Sequence, residues 1–382
     1  MRPTEAPRTI VCVIGTRPEA IKMAPVVLAL QASPWATCRV ILSGQHRDLA
    51  RPILDLFGIV PDLELDLMRP GQSLAELTAR MMTSLARALD ELRPDFVLAQ
   101  GDTTTVLVSA LVSFYQRIPF GHVEAGLRTN NLDSPFPEEG NRVVAGHLAS
   151  AHFAPTRSAR ANLVREGIKP DSIHVTGNTV IDALKQIADS GVPLPLPNNP
   201  SRRLILITAH RRESLGIPLL RICKAVSMIH RKHSDVEFLW PVHPNPAIGP
   251  VVSAELGRLD RVHLREPLSY PQFVKAMQHS SLILTDSGGI QEEAPALGKP
   301  VLVLREESER PEAISAGVAR LVGTQTRRIV AETSRLLDDP ESYQAMAKGA
   351  SPYGDGRAAE RIVATLGRRL GVRQKGVAAV VT

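Results

Sequence analysis

The sequence has few aromatic residues, and this scarcity restricts the classes of ligand that the protein can bind. Phe, Trp and Tyr together make up 4% of the 382 residues, too few for the stacking platforms on which proteins bind single-stranded nucleic acid. The formal net charge is +6, but basic and acidic residues are interleaved and no run of five or more like charges occurs. The sequence therefore predicts no nucleic-acid partner.

Cysteines and long apolar runs are scarce as well. Cys12, Cys38 and Cys223 are widely spaced and form neither a zinc-binding pattern nor a disulfide framework. Cys12 lies in an apolar run, which predicts a buried free thiol. No segment approaches the roughly 20 apolar residues of a membrane span, and residues 1–15 lack the apolar stretch of a signal peptide. Together these features predict a cytoplasmic protein without a metal site or a membrane contact.

Short apolar runs alternate with amphipathic segments along most of the chain. The runs TIVCVIG, CRVILSG, DFVLAQGD, IPFGHVEA and SIHVTG read as buried strands, and helices are predicted at Glu19–Ala32, Leu74–Leu92 and Thr104–Tyr115. After a linker rich in proline and asparagine, Ser190–Ser201, the pattern restarts with RLILITAH, VEFLWPVH, SLILTDSG and KPVLVL. Such alternation predicts an α/β protein of two doubly wound, Rossmann-like domains that face a cleft.

Polar residues follow almost every predicted strand, where ligands of doubly wound sheets bind. In the first half these residues are Arg17, Gln45, His46, Asp102, His122 and Glu124. In the second half they are His210, Arg211, Arg212, His243 and Ser287. A single histidine at the end of a strand is more often structural than catalytic, but so many polar strand ends predict a functional cleft. No GxGxxG follows the first strand, so no dinucleotide cofactor is expected.

The stretch LTDSGGIQEEAPALGKPVLVL combines two features that conflict at first sight. Ser287, Gly288 and Gly289 follow a strand and open a helix, which favours a phosphate. Glu293, one turn later, would repel a phosphate but accepts hydrogen bonds from a diol. A nucleoside diphosphate offers both groups, so it is the predicted ligand. Gln291 and Glu292 are expected in solvated or capping positions, and Arg310 either binds the pyrophosphate or forms a surface ion pair.

A set of motifs in chain order resembles one enzyme family over nearly the whole sequence. The motifs are GTRPEAIKMAP, GDTTT, GHVEAGLRT, PEEGNR, TGNTVIDAL, AHRRESLG, PVHPNP, LTDSGGIQEEAPALGKPVLVLR, ERPEA and PYGDGRA. They are similar to those of the non-hydrolysing UDP-N-acetylglucosamine 2-epimerases. The resemblance implies the fold of glycosyltransferase B-type (GT-B) enzymes and interconversion of UDP-N-acetylglucosamine with UDP-N-acetylmannosamine. It also implies domains at 1–180 and 181–357, a helix at 358–372 that crosses back onto the first domain, and a tail at 373–382.

The chemistry of this reaction fits the residues without a cofactor. The proton at C2 of the sugar is not acidic enough for simple abstraction, but UDP can leave from C1 and give a 2-acetamidoglucal. Reprotonation of C2 from the other face and return of UDP then complete the inversion. This scheme needs groups that take and give protons and a clamp for UDP. Repulsion and burial are expected to raise the pKa of at least one carboxyl group at the site.

The resemblance assigns roles to residues that match the family motifs. The implied acid/base and phosphate-proximal groups are Asp102, Glu124, Glu138 and His210. The residues implied to bind the substrate and UDP are Arg17, Lys22, Phe273, Ser287, Gly288, Gly289, Glu293 and Arg310. For Glu124, an ion pair with Arg128 or Arg142 is the structural alternative.

The family also implies activation by UDP-N-acetylglucosamine bound in a second pocket. The matching residues are Gln45, Glu138, Arg211 and His243, whereas Asp48 and Gly71 depart from the residues that some members carry. The extra carboxylate and the missing cation would weaken a diphosphate site. The family further implies a homodimer that supplies mannosamine donors for surface polysaccharides.

Three other functions remain open on the sequence. A hydrolysing 2-epimerase shares the fold and several motifs and would release UDP. A retaining glycosyltransferase shares the fold but would need an acceptor site that the sequence does not indicate. A non-catalytic sensor of nucleotide sugars would have no need to keep Asp102, Glu124, Glu138 and His210.

Overall fold

The computed structural model describes residues 6–44, 47–69, 71–194, 196, 199, 201–308, 310–349 and 351–372, apart from the side chains at positions 47, 48 and 212. Two compact units are formed, one by Met1–Ala183 with Gly354–Thr382 and one by Leu184–Tyr353. We call them unit 1 and unit 2. The division falls within the helix Thr179–Ala188, upstream of the predicted linker Ser190–Ser201, which lies partly outside the described residues.

Unit 1 contains a seven-stranded sheet in which all neighbouring strands are parallel. Its strands are β1 (Arg8–Ile14), β2 (Ala36–Leu42), β3 (Leu63–Glu64), β4 (Phe96–Gln100), β5 (Phe120–Val123), β6 (Ala151–Ala154) and β7 (Ile173–Val175). The spatial order is β3-β2-β1-β4-β5-β6-β7. The order therefore reverses between β1 and β4, which makes this pair the switch point where doubly wound sheets bind ligands.

Unit 2 repeats this arrangement with six parallel strands. They are β8 (Arg203–Thr208), β9 (Val236–Pro241), β10 (Val262–Arg265), β11 (Ser280–Thr285), β12 (Val301–Val303) and β13 (Ala319–Leu321). The spatial order is β10-β9-β8-β11-β12-β13, so the switch point lies between β8 and β11. The prediction of two doubly wound α/β domains is confirmed.

Helices connect the strands in both units. In chain order they are α1 (Arg17–Gln31), α2 (Arg47–Leu56), α3 (Leu74–Leu92), α4 (Thr104–Tyr115), α5 (Glu138–Leu148), α6 (Arg157–Arg165), α7 (Thr179–Ala188), α8 (Ile217–Lys232), α9 (Gly249–Leu256), α10 (Tyr270–His279), α11 (Gly288–Ala296), α12 (Pro311–Ser315), α13 (Thr326–Asp338), α14 (Pro340–Ala347) and α15 (Ala358–Arg369). The predicted bounds of α3 and α4 agree with the structure. Helix α1 begins two residues before the predicted Glu19, because Thr16 caps it and Glu19 closes a capping box.

Four short strands, β3, β6, β10 and β13, were absent from the sequence prediction. Their sequences LE, AHFA, VHLR and ARL contain polar, charged or alanine residues, so they lack the continuous apolar run that marks a buried parallel strand. All four lie toward the sides of their sheets rather than at the switch points. The predicted strands in the middle of each sheet are almost fully buried and have continuous apolar runs, whereas β6 is buried but contains His152 and two alanines.

The last described helix, α15, belongs to unit 1 although it follows unit 2 in the chain. Its first two amides, those of Ala358 and Ala359, donate to the carboxylate of Asp182 at 3.2 and 2.8 Å. Near its other end, Arg369 donates to the carbonyl oxygen of Ser150 at 2.7 Å. The helix buries Ile362 and Leu366, so both polar and apolar contacts hold it to unit 1. The predicted tail at 373–382 lies outside the described residues.

Candidate active site

The turn after β1 is fastened to the turn after β4 by one buried carboxylate, that of Glu19. Its Oε2 accepts the amide of Gly15 at 2.6 Å, and its Oε1 accepts the hydroxyl of Thr103 at 2.6 Å. Burial raises the pKa of Glu19 to about 7, against three hydrogen bonds that lower it, and nearby Asp102 adds to the rise. Sequence analysis missed this residue. Its only signal was its position three residues after Thr16, which reads simply as a capping box.

Asp102 follows β4 and is held by the buried Arg142. The Nη2 and Nε atoms of Arg142 donate to Oδ2 of Asp102 at 2.6 and 2.9 Å, while its Nη1 donates to Glu139 at 3.0 Å. Both side-chain bonds described for Asp102 reach Oδ2, so Oδ1 is the oxygen with capacity to take a proton. The Asp102 side chain is 27% exposed, which leaves it accessible to a ligand.

His122 supports the same loop from β5. Its Nε2 lies 2.7 Å from the carbonyl oxygen of Gly101, the residue before Asp102. Burial lowers the pKa of His122 to about 3, so the ring is neutral at physiological pH and its Nε2–H donates to that carbonyl. His122 lies within β5 (Phe120–Val123) rather than after a strand, so the sequence prediction for its position is wrong, because the strand extends through Val123.

Glu124, at the end of β5, is the centre of a second polar network. It accepts hydrogen bonds from Lys22 at 2.5 Å, from Asn178 at 2.8 Å and from Gln100. The alternative that Glu124 pairs with Arg128 or Arg142 is wrong. Arg128 instead donates to Glu166 at 2.6 and 2.7 Å, and Arg142 is engaged with Asp102.

The backbone of Glu124 adds a second indication of function. Its φ of 65° lies in the left-handed region, which non-glycine residues adopt at a cost and which clusters at functional sites. The family resemblance assigned Lys22 to the substrate and Glu124 to acid/base chemistry, and the hydrogen bond between them places the two side chains next to each other. The structure brings these two site residues together.

Glu138 is the first residue of α5 and is half-buried. Its neighbour Glu139 is 1% exposed and accepts the amides of Thr129 and Asn130, each at 2.9 Å. Glu139 therefore orders the loop before α5, a role that the sequence did not reveal. Arg17, at the first position of α1, is also half-buried.

In unit 2, the two glycines that open α11 are not crowded by the rest of the protein. A Cβ added to Gly288 would meet no atom nearer than 3.8 Å, and one added to Gly289 would lie 3.7 Å from Oε1 of Glu293. The protein itself therefore does not require glycine at either position. The amide of Ser287 is already bonded to Thr285 Oγ1 at 2.9 Å, so an anion at this helix start would meet the amides of Gly288 and Gly289 instead.

Two arginines and one glutamate surround these glycines. The Nη2 atoms of Arg211 and Arg310 each lie 3.8 Å from the position of a Cβ on Gly288. Tyr270, on α10, donates its hydroxyl to Oε2 of Glu293 at 3.0 Å, and Phe273 lies one turn further along that helix and is half-buried. Cations, free amides and an oriented carboxylate thus meet at one helix terminus.

The expectation for Gln291 and Glu292 is wrong. Gln291 is fully buried, donates to the carbonyl oxygen of Ser287 at 3.2 Å and accepts from Ser308 at 2.6 Å. Glu292 is 1% exposed and accepts from Nε of Arg310 at 2.5 Å. Arg310 is consequently held in a buried ion pair rather than a surface one, with its side chain 13% exposed. Helix α11 is covered on several sides, so it has no solvated face for these residues.

His210 and Arg211 follow β8, beside Asp286 at the end of the neighbouring strand β11. Oδ2 of the fully buried Asp286 accepts the amides of both residues at 2.8 Å. The ring of His210 stacks on that of His243, with centroids 5.4 Å apart and an interplanar angle of 11°. Burial lowers the pKa of His210, while the Asp286 carboxylate acts in the opposite direction.

The remaining residues of the expected second pocket are less informative. Gln45 and His46 lie outside the described residues, as does the side chain of Asp48. Gly71 has a φ of 69° and open space around it. A side chain at position 71 would fit sterically, but the left-handed backbone conformation would be unfavourable for a residue other than glycine. The glycine that replaces the arginine of some family members therefore suits the local backbone.

The described part of the chain shows neither a membrane-spanning helix nor a metal cluster. No helix there is both long enough and apolar enough to cross a membrane. In the same residues, no group of three or more histidine, cysteine, aspartate or glutamate side chains is arranged to hold a metal ion.

Comparisons with known proteins agree with the motifs. The family model for UDP-N-acetylglucosamine 2-epimerase matches residues 28–367. The UDP-N-acetylglucosamine 2-epimerase of Salmonella typhimurium is 51% identical over 367 residues, covering 94% of this chain and 98% of the relative. The chain belongs to the UDP-N-acetylglucosamine 2-epimerase family. The resemblance inferred from the sequence is confirmed.

Further relatives extend the similarity to another bacterium and to a solved structure. The 2-epimerase of Bacillus subtilis is 47% identical over 367 residues, covering 96% of this chain and 97% of the relative. The crystal structure of UDP-GlcNAc 2-epimerase from Neisseria meningitidis bound to UDP-GlcNAc is 45% identical with a TM-score of 0.84, covering 94% of this chain and all of that one. These matches support the GT-B assignment within the epimerase family.

Proposed function

We propose that the protein interconverts UDP-N-acetylglucosamine and UDP-N-acetylmannosamine by inversion at C2 of the sugar. The observation that carries this proposal is the arrangement at the start of α11. A Cβ on Gly288 or Gly289 would meet nothing closer than ordinary van der Waals contact, two arginines lie beside these glycines, and Glu293 is oriented by Tyr270. A diphosphate suits the amides and cations, and a ribose diol suits the carboxylate.

The reaction proceeds by elimination and re-addition. A carboxylate takes the proton from C2 while the C1–O bond to UDP breaks, and a C1–C2 double bond forms. A protonated group then delivers a proton to the other face of C2 as the UDP oxygen bonds to C1 again. Asp102, Glu124 and Glu138 are the proposed acid/base groups of unit 1. His210 is proposed to lie beside the phosphates, with Arg17, Lys22, Phe273, Ser287 and Arg310 as further binding residues.

The contacts of unit 1 support this division of roles. Glu124 accepts hydrogen bonds from three donors, one of them the ammonium group of Lys22. Asp102 keeps Oδ1 for proton exchange while Arg142 fixes Oδ2. Two carboxyl groups with different surroundings are what acid and base roles require.

Incubation with UDP-N-acetylglucosamine alone in heavy water tests the reaction. We expect UDP-N-acetylmannosamine that carries deuterium at C2, with little free UDP. Stoichiometric release of UDP would instead indicate a hydrolysing epimerase. The absence of any reaction would contradict the proposal and favour a transferase or a sensor.

We further propose that the enzyme works as a cytoplasmic homodimer that is activated by its own substrate and supplies surface polysaccharide synthesis. The thiols of Cys12 and Cys38 are free although their sulfur atoms lie 4.0 Å apart, as suits a reducing compartment.

Phe114 and Tyr115 on α4 are 58% and 67% exposed, which suits an interface. Sedimentation equilibrium should give twice the chain mass, and a monomer at all concentrations would contradict the dimer.

A further inference from the structure

Asp286 is a buried carboxylate whose position is fixed by donors on one side only. It directly follows β11 and is fully buried. Its Oδ2 accepts three hydrogen bonds, each of 2.8 Å, from the amides of His210 and Arg211 and from the hydroxyl of Ser214. All three donors follow β8, the strand beside β11. The switch point of unit 2 therefore holds a carboxylate that cannot rotate without breaking three bonds.

The other oxygen faces the imidazole ring of His210. Oδ1 of Asp286 lies 3.4 Å from Nδ1 of His210, and within the described residues it accepts no hydrogen bond. This distance is slightly longer than an ordinary hydrogen bond, as is common at catalytic sites before the substrate binds. The His210 side chain is 37% exposed and stacks on His243, so one face is covered while the ring remains open to a ligand.

We propose that Asp286 is a positioning residue that holds His210 in the tautomer with the proton on Nδ1, leaving the Nε2 lone pair free at the nucleotide site. A neutral imidazole carries its proton on one nitrogen and accepts at the other. A carboxylate oxygen can only accept, so it selects the nitrogen that bears the proton. This inference rests on the proposed role of His210.

The charges around His210 agree with this role. Burial lowers the pKa of the ring, and His243 and Arg211 lower it further, whereas Asp286 and Glu213 raise it. Asp286 is the largest of the influences that raise it. Loss of the Asp286 charge should therefore shift the titration of His210 to lower pH.

Asp286→Asn offers a sharp test because the three donors dictate how the amide must lie. The substitution replaces one carboxylate oxygen with an NH2 group, and the remaining oxygen must take the Oδ2 position to accept from His210, Arg211 and Ser214. The NH2 group then faces Nδ1 of His210 and donates to it. The ring must place its proton on Nε2, the opposite tautomer, while the backbone contacts persist. An aspartate-to-asparagine change that inverts a tautomer costs several orders of magnitude in the serine protease triad.

The tautomer itself is measurable in the wild-type protein. We would label histidine with ¹⁵N and assign the His210 signals by their absence in His210→Gln. The proposal requires a protonated Nδ1 and an unprotonated Nε2 in the neutral wild-type ring. An unprotonated Nδ1 would overturn it. This measurement needs no turnover, so its failure is distinct from a failure of the proposed epimerase reaction in heavy water.

Kinetics of Asp286→Asn complete the test. We expect kcat to fall about 100-fold or more, in the range for general acid–base groups, with the UDP affinity by calorimetry within about threefold and the tautomer inverted. In the pH profile of kcat, the limb that reports the titration of His210 should move to lower pH. Ser214→Ala removes one donor from Oδ2 of Asp286 but leaves Oδ1 unchanged, so this variant should keep the wild-type tautomer. Its fold-decrease in kcat should be at least tenfold smaller than that of Asp286→Asn. Wild-type turnover in Asp286→Asn, or an equal loss in Ser214→Ala, would contradict the proposal.

Discussion

The two units have the same order of strands around their switch points but hold different chemistry there. Between β1 and β4, unit 1 gathers the carboxylates of Glu19 and Asp102, which already accept hydrogen bonds from protein donors. Between β8 and β11, unit 2 holds the buried carboxylate of Asp286, and the glycines that open α11 have arginines beside them. One fold thus supplies a site suited to proton exchange and a site suited to anions.

The difference follows from the turns after β4 and β11, the later strand of each switch-point pair. In unit 1 the sequence GDTTT places a carboxylate and a capping threonine before α4, with Thr103 accepting from the amide of Thr105. In unit 2 the sequence DSGG places glycines at the first two positions of α11, and Ser287 makes no side-chain cap. A capped helix start has fewer donors for a ligand, whereas an uncapped one keeps its amides and positive dipole for an anion.

Asp102→Asn should have the largest effect and would show that unit 1 serves proton transfer rather than binding. Asparagine keeps an acceptor for Arg142 but loses the charge and most of the basicity. We expect turnover to fall about 10²–10⁴-fold, the usual contribution of a general acid–base group. The UDP affinity should stay within about tenfold, or 1.4 kcal/mol.

Steady-state kinetics and calorimetry measure the two quantities separately. Asp55→Asn is the matched control, because Asp55 also pairs with an arginine in unit 1, Arg51, but is 56% exposed. That variant should keep its activity. If Asp102→Asn abolished UDP binding, Asp102 would be a binding or folding residue and the contrast between the units would fail.

The sequence predicted the strand ends at both switch points but not the contacts between them. Arg17, Asp102, His210 and Ser287 were recognised because polar residues after apolar runs are visible in one dimension. Glu19 meets Thr103 across 84 positions and Asp286 meets His210 across 76. Such pairs depend on β1 lying beside β4 and β8 beside β11, and hydrophobic periodicity does not reveal the order of strands in a sheet.

The burial of Glu292 was unpredictable for another physical reason. Amphipathic reasoning assigns charged residues to a solvated face, and α11 has residues 290–295 all buried. The ion pair with Arg310 makes that position tolerable, since a buried charge needs a counter-charge. The partner lies in a separate motif, ERPEA, whose contact with α11 the sequence does not encode locally.

Glu19→Gln tests how far burial governs the carboxylates of unit 1. Because the folded-state pKa of Glu19 is about 7, the native protein binds more protons than the unfolded chain between pH 4.5 and 7. Stability should therefore fall as pH rises through that window, by up to about 3 kcal/mol. Glutamine resembles the protonated acid and removes this dependence, so the variant should gain stability relative to wild type from pH 5 to pH 8.

Urea denaturation of both proteins at the two pH values measures the difference, which cancels the other titrating groups. Glu76→Gln is the control, since Glu76 closes the equivalent capping box of α3 but is exposed. Hydrogen bonds from Ser73 lower the pKa of Glu76, so its contribution is lost only at acidic pH. A constant difference for Glu19→Gln would mean that Glu19 is ionised throughout this range.

Gly288→Ala addresses the anion site of unit 2, with a smaller expected effect. The nearest atoms lie 3.8 Å from the added Cβ, so alanine fits the protein and can stabilise α11 by up to about 1 kcal/mol. The methyl group would occupy space next to the amides that bind phosphate. We expect a UDP affinity at least about tenfold weaker, a loss of 1.4 kcal/mol, with an unchanged or raised Tm.

Calorimetry with UDP and thermal unfolding without it give the two results independently. Gly249→Ala is the matched control, because Gly249 is also the first residue of a helix in unit 2, α9, and has open space around it. It should leave UDP affinity unchanged. An unchanged UDP affinity in Gly288→Ala would show that the start of α11 is not the anion site.

Arg211→Ala should have the smallest effect on the reaction itself and separates two roles for one arginine. The family resemblance assigns Arg211 to the activator, yet its Nη2 lies 3.8 Å from the position of a Cβ on Gly288, beside the proposed UDP site. If the activator role holds, the wild-type rate should depend sigmoidally on UDP-N-acetylglucosamine. The variant should then lose the sigmoid because a charge-assisted clamp on the second diphosphate is gone.

The reverse reaction distinguishes the two roles. From UDP-N-acetylmannosamine alone, the wild type should be slow until a trace of the other epimer is added, and Arg211→Ala should not respond to that trace. Arg221→Ala, on the exposed surface of α8, should behave as wild type. A hyperbolic wild-type curve, together with a variant that mainly loses UDP affinity, would place Arg211 at the catalytic diphosphate. Unit 2 would then hold a single anion site with two arginines, and the activator would need its cations from residues other than Arg211.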